Sequence, residues 1–113
     1  MYKLRLHKNL TPQKWAQYKE EQQILMIANE LNRAKNWIMK NDSEETDNCY
    51  ERAFELLDLT VSITEKNNLR TELLRLREEL AILYLRSDKN YEDNSKLLNV
   101  LISLNKESYD LVI

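Results

Sequence analysis

Three carboxylates near the middle of the chain, Glu51, Glu55 and Asp58, are spaced four and three residues apart. A helix carries residues so spaced along one face. Carboxylates grouped this way are hard oxygen donors of the kind that hold Mg²⁺ or Mn²⁺, and a metal held there activates water for hydrolysis. The other groups that such chemistry draws on are few. His7 is the one histidine and Cys49 the one cysteine, so the chain cannot close a zinc site. A di-iron bundle needs Glu-x-x-His pairs on facing helices, which a single histidine also excludes. His7 reads as a solvated residue of an N-terminal arm and Cys49 as a small core filler. Neither residue suggests a bound cofactor.

The composition removes further chemistries. The 113 residues include no glycine, where average usage would give roughly eight. Glycine lets a backbone take positive φ or approach a phosphate closely. Without it there is no Walker loop, no dinucleotide fingerprint and no strained nucleophile elbow. Asparagine, the next-best left-handed residue, stands at the expected helix ends as Asn41, Asn67, Asn68 and Asn90. The net charge of −2 lacks the basic field of a nucleic-acid binder. No apolar run approaches the roughly 20 residues of a membrane span. Residues Met1 to His7 alternate charged with apolar side chains and form no signal-peptide core. A lone cysteine together with these features predicts a cytoplasmic chain without a membrane partner.

Four amphipathic helices would position these residues. Thr11 as N-cap and Pro12 at the first helical position start a long helix that should run to about Lys40. Its stripe is Ile24, Ile27, Ala28, Leu31, Ala34 and Ile38, with Trp15 and Tyr18 extending it. After a polar break, Asp42 or Ser43 caps a second helix with Tyr50, Ala53, Phe54, Leu57, Val61 and Thr64 on one face. The β-branched stretch 59–64 also suits a strand, but the 3.6-residue pattern upstream favours helix. The third helix carries the strongest signal, Leu69, Leu73, Leu76, Leu80 and Leu83, a seam about two heptads long. Arg75 and Glu79 make an i,i+4 pair on its outer face. The fourth should run from Tyr91 to about Lys106, with Leu97, Leu98, Leu101, Ile102 and Leu104 inward.

The expectation is one all-α domain over residues 1–113, a four-helix up-down bundle with a long first helix. Residues 1–10 form an arm and 107–113 a tail. Tyr2, Leu4 and Leu6 alternate with charges, as do Tyr109, Leu111 and Ile113, so each end reads either as a short strand or as a frayed tail.

Three resemblances bear on this reading. Glu55-Leu56-Leu57-Asp58 resembles half of the magnesium-binding signature of the all-helical nucleoside-triphosphate pyrophosphohydrolases. That family also uses Glu-x-x-Glu on an earlier helix, a spacing that Glu20, Glu21 and Glu30 do not form. The segment from Cys49 to Leu57 resembles the second helix of a tetratricopeptide repeat, with Ala34 and Trp37 near the partner positions on the helix before it. No second copy follows at the period of about 34 residues, so the likeness implies a tightly packed hairpin of the first two helices and no more. Over residues 14–85 the pattern is similar to a group of small uncharacterised prokaryotic helical proteins, with Lys14-Trp15, Trp37, the run from Tyr50 to Thr60, and the run from Leu74 to Leu80. That likeness implies no activity.

The function expected is that of a non-catalytic helical bundle acting through a protein partner or through self-association, for instance as a dimer. Candidate contacts are Tyr2, Leu4 and Leu6 by edge pairing, and Trp15 and Trp37 as aromatic anchors. Both tryptophans also sit at helical spacing that suits a core. One alternative is a small Mg²⁺- or Mn²⁺-dependent hydrolase using Glu51, Glu55 and Asp58. Another is an RNA-binding bundle using the basic arm (Lys3, Arg5, Lys8, Lys14, Lys19) and Arg70, Arg75, Arg77 and Arg86. The acidic stretch 41–65 opposes that arm, so their mutual attraction within the fold or across a dimer explains both runs as well.

Overall fold

The structure is a computed structural model that describes His7 and residues 9–105. The described residues are all-helical, in five helices: α1 (Pro12–Ala16), α2 (Glu20–Met39), α3 (Ser43–Ile63), α4 (Asn67–Leu85) and α5 (Tyr91–Ser103). The strand-like ends proposed around Tyr2, Leu4 and Leu6 and around Tyr109, Leu111 and Ile113 lie outside the described residues.

The expected long first helix is two helices. Thr11 caps α1 as anticipated, its Oγ1 accepting from Lys14 N at 3.1 Å. The chain leaves the helix at Gln17–Lys19, although no glycine or proline marks the place. Gln23 explains the break. Its buried amide donates to the carbonyls of Trp15 (2.9 Å) and Tyr18 (3.1 Å), which a continuous helix would have engaged in its own ladder. Lys19 N–H is taken by Gln22 Oε1 at 3.2 Å, which starts α2 afresh. The kink turns Trp15 away from the α2 stripe and into α3, where the ring is fully buried and Nε1 donates to Thr60 Oγ1 at 2.9 Å.

The other boundaries follow capping chemistry. Asp42 is the cap of α3, accepting from Glu45 N at 3.0 Å. The β-branched stretch stays helical to Ile63, with Thr60 Oγ1 bonded back to Leu56 O at 2.7 Å, and Thr64 falls outside the helix as an extended C-cap. Asn90 caps α5 by accepting from Asp93 N. The fourth predicted helix ends at Ser103, short of Lys106. Of the four asparagines expected at left-handed positions, Asn41 alone takes one, with φ 58°.

Helix α2 packs against α3 and α5, α4 lies against α3 and α5, and α1 rests on α3. One continuous core fills the space between them, including Ile24, Ile27, Leu31, Leu57, Leu80 and Leu101, all fully buried. The leucine seam predicted for the third helix faces this core. Leu73, Leu76 and Leu80 are buried, with Leu69 and Leu83 packed at its margins.

Trp15→Phe should lower stability by about 2 kcal/mol through lost volume and the lost indole hydrogen bond to Thr60. Urea unfolding reads this directly. A loss below about 0.5 kcal/mol, the range of ordinary surface changes, would mean that Trp15 does not pin α1 to α3.

Candidate functional site

The three carboxylates proposed for a metal share a half-buried face of α3 that is turned towards α4 and the N-terminal segment. Each meets a different partner there. Glu51 Oε2 accepts from the Tyr84 hydroxyl at 3.1 Å. Glu55 Oε1 accepts from the His7 backbone N–H and stands 3.2 Å from its Nδ1. Asp58 takes the Arg77 guanidinium through both oxygens. Arg77 also lies over the Phe54 ring, which meets Tyr84 edge-on. Glu55 thus contacts the one histidine, which sequence reasoning left in solvent. A cation bound to this face would have to displace Arg77, already a cation matched to Asp58 in a two-pronged geometry. Among the described residues no three His, Cys, Asp or Glu side chains come together as a metal-ion site.

The buried polar groups are likewise joined to one another. Tyr50 donates to Asn94 Oδ1 at 2.7 Å, and Asn94 Nδ2 donates to Leu31 O at 3.0 Å, linking α3, α5 and α2. Burial, with the Asp47 charge nearby, pushes the Tyr50 phenol well above its ordinary value. Arg52 Nε lies 3.2 Å from both oxygens of the buried Glu30, and its Nη2 donates to Cys49 Sγ. Burial raises the Cys49 thiol and outweighs the opposing pull of Arg52, so the sulfur is held as a protonated core group.

Lys89 closes the C-terminus of α4. Its Nζ donates to the carbonyls of Leu83 (3.0 Å), Tyr84 (2.6 Å) and Arg86 (2.6 Å). It stands 3.1 Å from Asp47 Oδ1, off the line of a hydrogen bond, so that contact is ionic. A lysine two to four residues past an apolar helical run is the sequence signal for such a cap.

The tryptophans proposed as anchors both pack inward. Trp15 is fully buried, and Trp37 is partly buried against the core with the Lys40 ammonium 4.9 Å from its ring. Tyr2, Leu4 and Leu6 lie outside the described residues, as do Lys3, Arg5 and Lys8 of the basic arm. Tyr18 and Met39 are exposed beside the two tryptophans, and further exposed apolar side chains stand on α4 and α5. Leu74 (44% exposed), Ile82 (50%) and Leu85 (80%) stand out from α4, and Val100 (49%) from α5. Between these two helices runs a groove of about 280 Å³, floored by Leu76, Leu83 and Leu97 with Ile82 and Val100 at its lip. The sequence signal for this surface was an apolar residue off the seam, as Ile82 and Val100 are. Arg75 does not pair with Glu79 as expected. It turns back to Glu72 at 3.0 Å.

Two measurements follow from these contacts. Because the Tyr50 phenol is raised in the fold, its contribution to stability is complete below the ordinary tyrosine value of about 10 and is lost as pH climbs above it. Tyr50→Phe should therefore lower neutral-pH stability by about 1–2 kcal/mol, through the orphaned Asn94 oxygen, and flatten the alkaline limb of the stability curve. An unchanged alkaline limb would place the titration elsewhere. Millimolar Mg²⁺ or Mn²⁺ should leave the Tm where it is, whereas a ligand of the native state would raise it. A metal-dependent rise that Asp58→Asn removes would favour the hydrolase reading. No protein-family model, curated protein or solved structure matches the chain.

Proposed function

We propose that this chain is an up-down four-helix bundle, with α1 as a side piece, that works as a non-catalytic binding protein through contact with another protein or with itself. Short connections between α2, α3, α4 and α5 favour antiparallel neighbours, and their pairwise packing runs round in a ring, as in such a bundle.

The outer surface of α4 carries the binding reading. At about 100° per residue, Leu74, Ile82 and Leu85 fall on the side opposite the buried Leu73, Leu76 and Leu80. A surface helix ordinarily has one apolar stripe and a polar outer face. Ile82 and Leu85, one turn apart and both exposed, support a use outside the monomer, since exposed apolar patches mark interaction surfaces. The polar side chains with chemical potential are engaged inside the fold, as Arg77 is with Asp58 and Tyr84 with Glu51.

Affinity capture tests the reading. The tagged full-length chain should retain a stoichiometric protein from the lysate of its source at moderate salt. Leu74→Ser combined with Leu85→Ser should lose that protein while changing stability by no more than about 0.5 kcal/mol per site. A bait recovered alone, and monomeric in solution, counts against an interaction role.

A further inference from the structure

We infer that the groove between α4 and α5 is a self-association face, covered by the same groove of a second copy about a two-fold axis. This rests on the interaction reading above and names the partner. The floor of the groove is made of Leu76, Leu83 and Leu97, and Ile82 joins it to the exposed stripe of α4. An apolar trough alone does not say what fills it, but the charges around it do.

Its rim carries Glu72, Glu79 and Asp93 against Arg75, Arg86 and Lys96, three charges of each sign. A strongly acidic or basic partner would find no field to match here, whereas a copy of the same rim does. Four of the six are already engaged within the chain. Arg75 holds Glu72 at 3.0 Å, and Arg86 reaches across the groove to Asp93 at 2.5 Å. Glu79 on α4 and Lys96 on α5 remain, one of each sign on opposite walls, and neither has an ion-pair partner among the described residues. A two-fold contact is self-complementary, in that residue i meets j of the partner while j meets its i. Laying α4 of one copy over α5 of the other pairs Glu79 with Lys96 twice and buries Ile82 and Val100 from both sides. Closing the groove also shields those ion pairs from solvent, which makes them discriminate against other partners more strongly than exposed pairs do.

Sedimentation of the full chain from micromolar to millimolar concentration tests this. The wild type should pass from the monomer mass of 13.6 kDa to twice that value. Glu79→Lys sets like charges against each other twice and should weaken the dimer by about tenfold or more. Glu79→Lys combined with Lys96→Glu should restore most of the affinity, a rescue that damage to folding cannot produce. Ile82→Asp should abolish dimer formation with helix content unchanged. A wild type that stays monomeric throughout overturns self-association. A dimer indifferent to Glu79→Lys and Ile82→Asp overturns the groove assignment and leaves the interaction role standing. A monomeric bait that loses a different captured protein on Ile82→Asp overturns the second copy as occupant. A bait that is monomeric and captures nothing removes the interaction role itself.

Discussion

The side-chain amide of Asn94 is bonded on both of its ends inside the protein, and the arrangement of the other helices depends on it. Its oxygen accepts the Tyr50 hydroxyl from α3, and its nitrogen donates to the Leu31 carbonyl on α2. Leu31 O belongs to a helix, yet a carbonyl has a second lone pair to offer. Leucine seams such as Leu73, Leu76 and Leu80 would tolerate a slide of one turn, because aliphatic side chains repack at modest cost. The two bonds of Asn94 would not. Separating them in a dry interior leaves polar atoms unsatisfied at about 1–3 kcal/mol each. The apolar faces thus provide the bulk of the attraction, while Asn94 and Tyr50 select the register of α2, α3 and α5.

The absence of glycine shapes the helix ends in the same material way. A helix commonly closes on a left-handed glycine that hands its last carbonyls to the following amides. Here side chains take that task. Asn41 accepts the left-handed conformation after α2, which its short amide tolerates better than other side chains do. Gln23 reaches back to the carbonyls that end α1, and Lys89 folds over those that end α4. Because these closures need particular polar side chains, each turn is committed to one conformation. Lys89 also faces Asp47 on α3, so the closure of α4 is tied to the neighbouring helix.

What could be read from the sequence divides along the range of the interactions. Thr11-Pro12, Asp42 and the leucine seam are local patterns, and each lies where its chemistry predicted. The break at Gln17–Lys19 was not legible, because it depends on Gln23 six residues downstream of Gln17 and on Trp15 finding Thr60, 45 positions away. Glu51, Glu55 and Asp58 do share one face of α3, as their spacing required. What that face meets turned on α4, since no feature near Asp58 announces that Arg77 will meet it. Arg75 and Glu79 had the right spacing and signs, yet Glu72, three residues back on the same helix, took the arginine. Local pattern gave the faces, and long-range packing decided what each face meets.

Helix α4 is where the two apolar demands on this fold meet. Towards α3 it turns Arg77, whose charge neutralises Asp58, and Tyr84, whose hydroxyl donates to Glu51. Towards the core it turns leucines, and outward it turns Leu74, Ile82 and Leu85. Had the outer stripe existed only to help α4 fold, polar helix formers would have served as well, since a buried seam already docks it. Exposed aliphatic surface adds nothing to the monomer's stability and invites association. Ile82 and Val100, at the lip of a groove with charges of both signs, are therefore best understood through what covers them, and a surface carrying Glu79 and Lys96 unmatched on opposite walls is one that its own copy can satisfy.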